Sequence, residues 1–352
     1  MAIGLDIGSS AVRVVQLEQR RGGAPRLTHY RSAPLTPGAV VDGDVVEPDV
    51  VATALRDLWR QAGLRQRAVA VGLASQRVTV RQLDLPALPE AEIAEAVRLQ
   101  AHDELPIPVD QAVLAHVIVE HPAGGDGPAR LRVLLVAVER DMVDRLLTAV
   151  TMAKLRPVLV DLDAFAVLRS LAPSPVVGDE VELVVDIGAM VTKVAVHRGG
   201  RPLFVRMLRL GGDAATRQLE KVLELPWEDA EKAKLDASAA MVAGDDLDVD
   251  DERARVLQTG VERVVTEVAN SLDFFRDQHE DVEVRRLVLS GGASLAPKLT
   301  ERLHAALDLP VDRGDALRGL AAPNGHAEVV EGLREAGPVL AVPVGLAMGL
   351  LR

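Results

Sequence analysis

The chain contains the tripeptide Asp-Ile-Gly twice, each time between two apolar stretches. Asp6-Ile7-Gly8 follows Ala2 to Leu5, and Asp186-Ile187-Gly188 follows Val181 to Val185. The apolar stretches that come after the two tripeptides are Val12 to Leu17 and Val191 to Val196. Such runs on either side of a glycine turn predict a strand–turn–strand hairpin. Because the hairpin occurs twice, we expect two lobes of similar build that face one ligand from opposite sides.

Each predicted hairpin places a carboxylate at a strand end, next to a glycine turn. Carboxylates suit a Mg²⁺ ion that keeps its waters, because this cation dehydrates reluctantly. We therefore predict that Asp6 and Asp186 are the catalytic and metal-site residues and hold Mg²⁺ through water. Turn amides suit phosphate oxygens. The residues predicted to bind phosphates, through the turns or through a nearby positive charge, are Gly8, Ser9, Ser10, Arg13, Gly188, Ala189 and Met190.

The alternative interpretation is that the two tripeptides only form tight turns after core strands, which is a common use of Asp and Gly. The apolar pattern continues as strand after each turn, whereas a dinucleotide-binding fingerprint opens a helix. No Walker A pattern occurs in the chain. The duplication nevertheless favours a phosphate site over two unrelated turns.

A diglycine follows the predicted strand Leu287 to Leu289. It belongs to the segment Ser290-Gly291-Gly292-Ala293-Ser294, and a predicted helix comes next. Glycines at this place let a ribose or a flat ring approach the backbone closely. We predict an adenosine site formed by Gly291, Gly292 and Ser294. The alternative is a plain strand-to-helix turn in which Ser294 caps the helix.

Composition excludes several classes of function. The 352 residues carry a formal charge of −12, and the aromatic residues are four Phe, two Trp and one Tyr. A general nucleic-acid binder is therefore not expected, because phosphate neutralisation needs clustered Lys and Arg and base stacking needs aromatic rings. The absence of cysteine excludes disulfides, thiolate metal sites and Cys nucleophiles.

The sequence predicts a cytoplasmic protein that does not insert into a membrane directly. An acidic residue, Asp6, arrives before any signal-peptide pattern can form. The longest apolar run, Pro338 to Leu351, is shorter than the ~20 residues of a bilayer-spanning helix and contains Pro343. We expect the part of this run from about Val339 to close the second lobe.

The order of predicted elements indicates an α/β fold with two lobes. We assign residues 1–175 to the first lobe, with an inserted subdomain at about 78–160 in the order βαββαβ. Residues 176–352 form the second lobe, with a small helical subdomain inserted at about 213–284. The glycine-rich stretch His121 to Ala129 is predicted to be a hairpin tip.

The ordered motifs DIGSS, DIGAM, GGD and SGGAS resemble those of the actin-like ATPase superfamily. The segments Asp103-Glu104-Leu105-Pro106-Ile107-Pro108 and Leu225 to Lys234 resemble more closely the PilM family of type IV pilus assembly proteins, and the similarity runs nearly end to end. The resemblance implies the actin-like ATPase fold, with two ribonuclease-H-like lobes around a nucleotide cleft. It also implies ATP and Mg²⁺ as cofactors, and docking of the cytoplasmic peptide of the inner-membrane protein PilN between the first lobe and its insertion.

The resemblance adds further site residues and also shows departures. It implies that Gly212 lies in the cofactor site and that Glu231 and Lys234 lie near the ribose and adenine. The alternative for Glu231 and Lys234 is a solvated pair on one helix face. Arg13 stands where a lysine is expected, and no glutamine near the helix Ala164 to Leu171 matches the water-positioning residue of actin. Asp163 is the nearest polar residue and is interpreted as a helix cap, so weak ATPase activity is expected.

The predicted function is a nucleotide-regulated scaffold of the type IV pilus inner-membrane complex that binds PilN. Alternatives are a filament-forming cell-division ATPase like FtsA and a small-molecule kinase, which would need a carboxylate base that the sequence does not identify. FtsA-type chains end in an amphipathic helix, whereas this sequence stops after its apolar segment at Leu350-Leu351-Arg352. We therefore expect attachment to the inner face of the cytoplasmic membrane through the partner, and self-association stays open.

Overall fold

The computed structural model describes residues 1–19, 22–120, 130–172, 179–243, 251–321, 333 and 336–351. The strands are β1 (Ala2–Ile7), β2 (Ala11–Glu18), β3 (Arg26–Pro34), β4 (Val40–Val41), β5 (Asp44–Val45), β6 (Ala68–Leu73), β7 (Thr79–Pro86), β8 (Ala112–Glu120), β9 (Arg130–Glu139), β10 (Arg156–Leu162), β11 (Val181–Ile187), β12 (Thr192–Arg198), β13 (Arg201–Leu208), β14 (Arg286–Ser290) and β15 (Val311–Arg313). The α-helices are α1 (Pro48–Ala62), α2 (Glu90–Glu104), α3 (Arg140–Met152), α4 (Asp163–Leu171), α5 (Asp213–Leu223), α6 (Trp227–Ala243), α7 (Glu252–Gln278), α8 (Leu299–Leu307) and α9 (Ala341–Gly349).

Two five-stranded sheets of the same topology form the centres of the two lobes. The first has the order β10-β6-β1-β2-β3, and the second, read in the opposite direction, has the order β15-β14-β11-β12-β13. In each sheet the central strand that ends in Asp-Ile pairs antiparallel with the next strand and parallel with a later one. The prediction of two lobes of similar build is therefore confirmed.

The central strands read as apolar runs because both of their faces are covered. All seven residues of β11 are buried, and so are the first five residues of β1. Helix α1 covers the first sheet with an apolar face that includes Val51, Leu55 and Leu58, and Gly63 ends it in the left-handed conformation at φ 64°. These rigid layers fix the positions of the two Asp-Ile-Gly turns.

The inserted subdomain is smaller than predicted. The order βαββαβ is present along the chain, but only β7, α2, β8 and β9 form the separate unit, a three-stranded sheet of order β7-β9-β8. Helix α3 packs on α1 instead, and β10 pairs in parallel with β6 at the edge of the first sheet. Parallel pairing joins strands that are distant in sequence, so the local pattern could not assign α3 and β10 to the larger sheet.

The apolar C-terminal helix does not close the second lobe as predicted. Helix α9 packs on α4 and on β1, and its buried residues belong to the core of the first lobe. Gly4 and Gly345 permit this packing: a Cβ on Gly4 would lie 2.0 Å from the carbonyl oxygen of Pro343, and one on Gly345 would lie 1.8 Å from that of Ala166. The polypeptide therefore returns to the lobe in which it began.

The insertion contacts both lobes. Strands β8 and β9 of its sheet contact helix α3 of the first lobe, and strands β7 and β8 contact β13 of the second lobe. Val119 and Leu134 also belong to an apolar cluster of the second lobe. The predicted hairpin tip at 121–129 and the predicted lobe boundary at 175–176 lie outside the described residues. None of the described helices combines the length and the apolar composition of a membrane-spanning segment.

Candidate functional site

A cavity of about 650 Å³ lies between the two lobes. Its volume is within the range of about 300–1,000 Å³ that is usual for small-molecule sites. Both Asp-Ile-Gly turns contribute to its wall. The predicted site residues that line it are Asp6, Gly8, Ser9, Ser10, Arg13, Asp186, Gly188, Ala189, Met190, Gly212, Glu231, Lys234, Gly291 and Gly292.

Ser294 is the predicted site residue that the structure does not bring into the cavity wall. It is 4% exposed and belongs to a short 3-10 helix at Gly292–Leu295. Its amide donates a hydrogen bond to the carbonyl oxygen of Gly291 over 3.1 Å. The backbone of Ser294 therefore belongs to the turn behind the cavity. Contrary to the alternative, its side chain does not cap the next helix, because α8 begins after Lys298 and no side chain caps it.

The first hairpin pairs its aspartate with a cation on the adjacent strand. Asp6 and Arg13 are opposite each other in the ladder between β1 and β2. Arg13 Nη1 donates to Asp6 Oδ2 over 3.1 Å, and both side chains are largely buried. Gly8 donates its amide to the carbonyl oxygen of Ala11 over 3.0 Å, which closes the turn.

The second hairpin repeats this arrangement with a lysine. Asp186 and Lys193 are opposite each other in the ladder between β11 and β12, and Lys193 Nζ donates to Asp186 Oδ2 over 2.8 Å. Gly188 donates its amide to Val191 over 3.1 Å. The amides of Gly8 and Gly188 therefore close turns and are not free for phosphate, which corrects the prediction for these two amides. The next residues of each turn remain in the cavity wall.

Lys193 is a site residue that the sequence analysis missed. Burial alone lowers the pKa of its ammonium group, but the carboxylates of Asp186, Asp163 and Asp6 outweigh this effect and raise the pKa. The side chain is thus held as a cation among three acidic side chains of the two lobes. Lys193 follows Asp186 by seven residues, just as Arg13 follows Asp6 by seven. The sequence alone shows this equal spacing.

Asp163 lies in the cavity wall and does not cap its helix. Helix α4 begins at Asp163 itself, and no side chain caps this helix. Asp163 Oδ1 is buried without a hydrogen-bond partner. Burial raises the pKa of Asp163 to about 8; Lys193 opposes the rise, and nearby carboxylates, Asp6 first, add to it. Gly72 makes room for this carboxyl group, because a Cβ there would lie 2.0 Å from Asp163 Oδ1.

Two glycine turns hold the second hairpin from behind. The amides of Gly212 and Asp213 donate to the carbonyl oxygens of Gly188 and Ala189 over 3.0 and 2.8 Å. A Cβ on Gly211 would lie 2.3 Å from the carbonyl oxygen of Ala189. Gly211 and Gly212 therefore let their backbone pack closely on the second Asp-Ile-Gly turn next to the cavity.

Gly291 is required for the same close packing on the other side. It has φ 90° and ψ 155°, a region that only glycine occupies readily. A Cβ on Gly291 would lie 2.3–2.6 Å from three backbone atoms of Ile187. The diglycine at 291–292 thus fixes the carboxyl end of β14 against the second Asp-Ile-Gly turn.

Glu231 and Lys234 form a polar cluster at one end of the cavity. Lys234 Nζ donates to Glu231 Oε2 over 2.6 Å and to Thr216 Oγ1 over 2.9 Å. Thr216 in turn donates to Glu231 Oε2 over 2.5 Å. Burial raises the pKa of the adjacent Asp213, against the opposing effect of Lys234. The pair faces the cavity with an acceptor and a donor and is not a freely solvated helix pair.

In the described part of the chain, no group of three or more His, Cys, Asp and Glu side chains is arranged to ligate a metal ion directly. The residues nevertheless suit a hydrated cation. The orphaned Asp163 Oδ1, together with Asp6 and Asp186, offers acceptors for the donor hydrogens of metal-bound water.

Comparisons with known proteins identify relatives of the whole chain. The family model described as type IV pilus assembly protein PilM matches residues 4–350. A chain of a solved PilM–PilN type IV pilus biogenesis complex is 29% identical with a TM-score of 0.86, and the match covers 100% of this chain and 98% of that one. The ethanolamine utilization protein EutJ from Carboxydothermus hydrogenoformans, at 18% identity and a TM-score of 0.57 over 98% of this chain and 88% of that one, shares the fold.

The curated relatives include cell division proteins named FtsA. That of Pseudomonas aeruginosa is 24% identical over 89% of this chain and 82% of its own length. That of Streptococcus pneumoniae is 27% identical, and the match spans 67% of this chain but only 56% of the relative. Together with the sheet topology, these similarities confirm the predicted actin-like ATPase fold.

Proposed function

Because the chain belongs to the PilM family of type IV pilus assembly proteins, we propose that it is a nucleotide-regulated scaffold of the pilus inner-membrane complex. In this proposal ATP and Mg²⁺ bind in the cavity between the lobes. The bound state fixes the angle between the lobes, and a partner that resembles PilN is held at the inner face of the cytoplasmic membrane. The coupling between the two sites is reciprocal, as linkage requires.

The main support for a nucleotide site is the pair of opposed hairpins, each of which has a buried carboxylate–cation pair in the wall of the same cavity. We assign the phosphates to the space between Ser9-Ser10 and Ala189-Met190. Arg13 and Lys193 supply positive charge there. Glu231 and Lys234, which bind each other at the end of the cavity, are assigned to the ribose and adenine.

Mg²⁺, when bound, would neutralise phosphate charge and act as a Lewis acid on the phosphate oxygens. Asp6 and Asp186 would orient its waters through their carboxylates. Asp163 would be the third acceptor, since its buried Oδ1 has no partner of its own. The raised pKa means that this carboxyl group retains a proton at neutral pH until a cation replaces it. Hydrolysis is expected to be weak, because no glutamine near α4 matches the water-positioning residue of actin.

We propose that the partner's cytoplasmic peptide docks between the first lobe and the insertion. Support comes from the likeness to a chain of a PilM–PilN complex. The insertion is also well placed to sense the angle between the lobes, because its sheet contacts α3 of the first lobe and β13 of the second.

The test is a titration of a PilN-like cytoplasmic peptide into the full-length protein, with and without saturating Mg-ATP. We expect Mg-ATP to change the affinity for the peptide by a certain factor. The peptide should then change the affinity for ATP by the same factor. Equal peptide affinities would refute regulation by the nucleotide, and no peptide binding in either condition would refute the partner.

A filament-forming function is the second candidate, because the curated relatives include FtsA proteins. Sedimentation of the protein with Mg-ATP distinguishes the two functions. Pelleting that requires nucleotide but no partner favours the filament, whereas a soluble species that pellets only with membranes bearing the partner favours the scaffold.

A further inference from the structure

A small hairpin of residues 40–45 lies at the rim of the cavity. Its strands β4 and β5 form a two-stranded sheet of their own. The two turn residues, Asp42 and Gly43, have φ values of 52° and 82°, as a type I′ turn requires. A Cβ on Gly43 would lie 1.5 Å from the carbonyl oxygen of Ala74, so the turn packs directly against the end of β6.

Asp44 anchors this hairpin to the first lobe. Its carboxylate is 14% exposed and accepts hydrogen bonds from Arg77 Nη1 over 2.9 Å and from Arg145 Nε over 3.1 Å. Arg77 also binds Glu139, and Arg145 also binds Asp141. Two arginines that each hold a further carboxylate leave the hairpin little freedom to move relative to the first lobe.

Asp42, at the tip of the hairpin, reaches the second lobe. Arg209 Nε lies 2.7 Å from Asp42 Oδ2. Their neighbours in sequence, Gly43 and Leu210, line the cavity from opposite lobes. Among the ion pairs whose partners both belong to the described residues, this pair alone joins the two lobes. The lobes therefore cannot separate at this rim without breaking it.

We propose that the hairpin of residues 40–45 is a clasp that holds the cleft closed over its ligand and slows ligand release. The identity of the ligand as a nucleotide rests on the proposed function. The pair is exposed, at 61% for Arg209 and 23% for Asp42. Exposed pairs are weak and are screened by salt. The clasp thus regulates the lifetime of the closed state and does not lock it.

The experiment measures the release rate of a fluorescent ATP analogue from the full-length protein by stopped flow. Asp42→Asn preserves the turn, because Asn tolerates the left-handed conformation, and Arg209→Gln removes the other charge. We expect about two- to five-fold faster release from each variant, the range that an exposed ion pair supports. The double variant should be no faster than either single one. Added salt should accelerate release from the wild-type protein more than from the variants.

Arg201→Gln is the matched control, because Arg201 is an exposed arginine at the start of β13, the strand that Arg209 directly follows. It should leave the release rate unchanged. Additive effects of the two clasp substitutions, or release rates that match the wild-type rate, would overturn the clasp. A wild-type protein that binds no analogue would instead refute the nucleotide site.

A ligand-free measurement keeps the clasp testable in that case. The chain has no cysteine, so spin labels can be attached to Gln61→Cys in the first lobe and Glu301→Cys in the second. We expect Asp42→Asn to broaden the distribution of interlobe distances at low salt, as high salt does in the wild-type background. A distribution that neither change affects would contradict the clasp.

Discussion

Lys193 Nζ donates to Asp186 Oδ2 over 2.8 Å, and the two residues face each other across adjacent strands of the second lobe. The pair repeats the relation of Arg13 to Asp6 in the first lobe. Each lobe thus brings its own compensated carboxylate to the cavity. Neither aspartate is an uncompensated buried charge in the ligand-free protein, which explains how two acidic hairpins can share one cleft.

Lys193→Met should destabilise the ligand-free protein strongly. The substitution leaves Asp186 as a buried charge without its partner, which typically costs about 3–5 kcal/mol. Mg²⁺ should recover part of this loss, because it supplies positive charge at the same place. Thermal unfolding with and without Mg²⁺ measures both effects. The control Lys232→Met, in an exposed pair with Asp236, should change neither; an equal response of the two variants would contradict the role of Lys193.

Asp163→Asn should change the pH dependence of stability. The pKa of Asp163 is raised to about 8 in the folded protein by burial, so the folded state binds this proton more tightly than the unfolded state does. The contribution of this proton to the free energy of unfolding is therefore fully present below about pH 4. As the pH rises towards 8, the free energy of unfolding falls by at most about 1.4 kcal/mol per pH unit. Asp163→Asn removes this loss.

Urea unfolding between pH 4 and pH 8 measures the effect of Asp163→Asn. The variant should match the wild-type protein at the acidic end and exceed its stability at the alkaline end. Asp179→Asn, at an exposed position, is the control and should follow the wild-type curve. A difference between Asp163→Asn and wild type that does not grow with pH would refute the raised pKa.

Gly291→Ala should lower stability and nucleotide affinity together. The backbone conformation at Gly291 disfavours any side chain by about 1–3 kcal/mol, and the added Cβ would collide with the backbone of Ile187. The second Asp-Ile-Gly turn must then shift. Gly337→Ala is the control, because a Cβ at Gly337 has no atom within 4 Å. Urea unfolding and calorimetric ATP titration should show lower stability and lower ATP affinity for Gly291→Ala and neither loss for Gly337→Ala.

Glu231→Gln should reduce discrimination between ATP and dATP. If Glu231 accepts a hydrogen bond from the ribose hydroxyl, the loss of the charge weakens a bond of about 1.5–3 kcal/mol in ATP but not in dATP. Competition binding with the two nucleotides measures the ratio. Lys232→Met, on the solvent side of the same helix, should keep the wild-type ratio. A ratio that Glu231→Gln does not alter would remove Glu231 from the ribose site.

The local elements of the site could be predicted from the sequence. The two hairpins, the diglycine turns and the helix that carries Glu231 and Lys234 follow from turn residues and apolar periodicity, which act over a few positions. Lys193 was also accessible, through its spacing from Asp186. It was overlooked because a lysine among apolar residues looks like an outward-facing strand position.

The remaining features depend on contacts between distant parts of the chain. Asp163 opens a helix, where a cap is the usual interpretation, and only the packing of Gly72 and Lys193 around it reveals its place in the cleft. Helix α9 is almost uniformly apolar, so its sequence shows that it is buried but not in which lobe. The assignment of β10 depends on a parallel neighbour, β6, that comes far earlier in the chain.

Binding of Mg-ATP between the two hairpins is tested by calorimetric titration of ATP into wild-type protein and Asp186→Asn, each with Mg²⁺ and with EDTA. Asn keeps the shape of the side chain and a hydrogen-bond acceptor for Lys193. We expect the wild-type protein to bind ATP more tightly with Mg²⁺ than with EDTA. Asp186→Asn should keep the fold with a lower free energy of unfolding, because Lys193 loses its charged partner, and it should lose this Mg²⁺ dependence. If the wild-type protein binds no ATP, or if the Mg²⁺ dependence is equal in the two proteins, the proposed Mg-ATP site is contradicted.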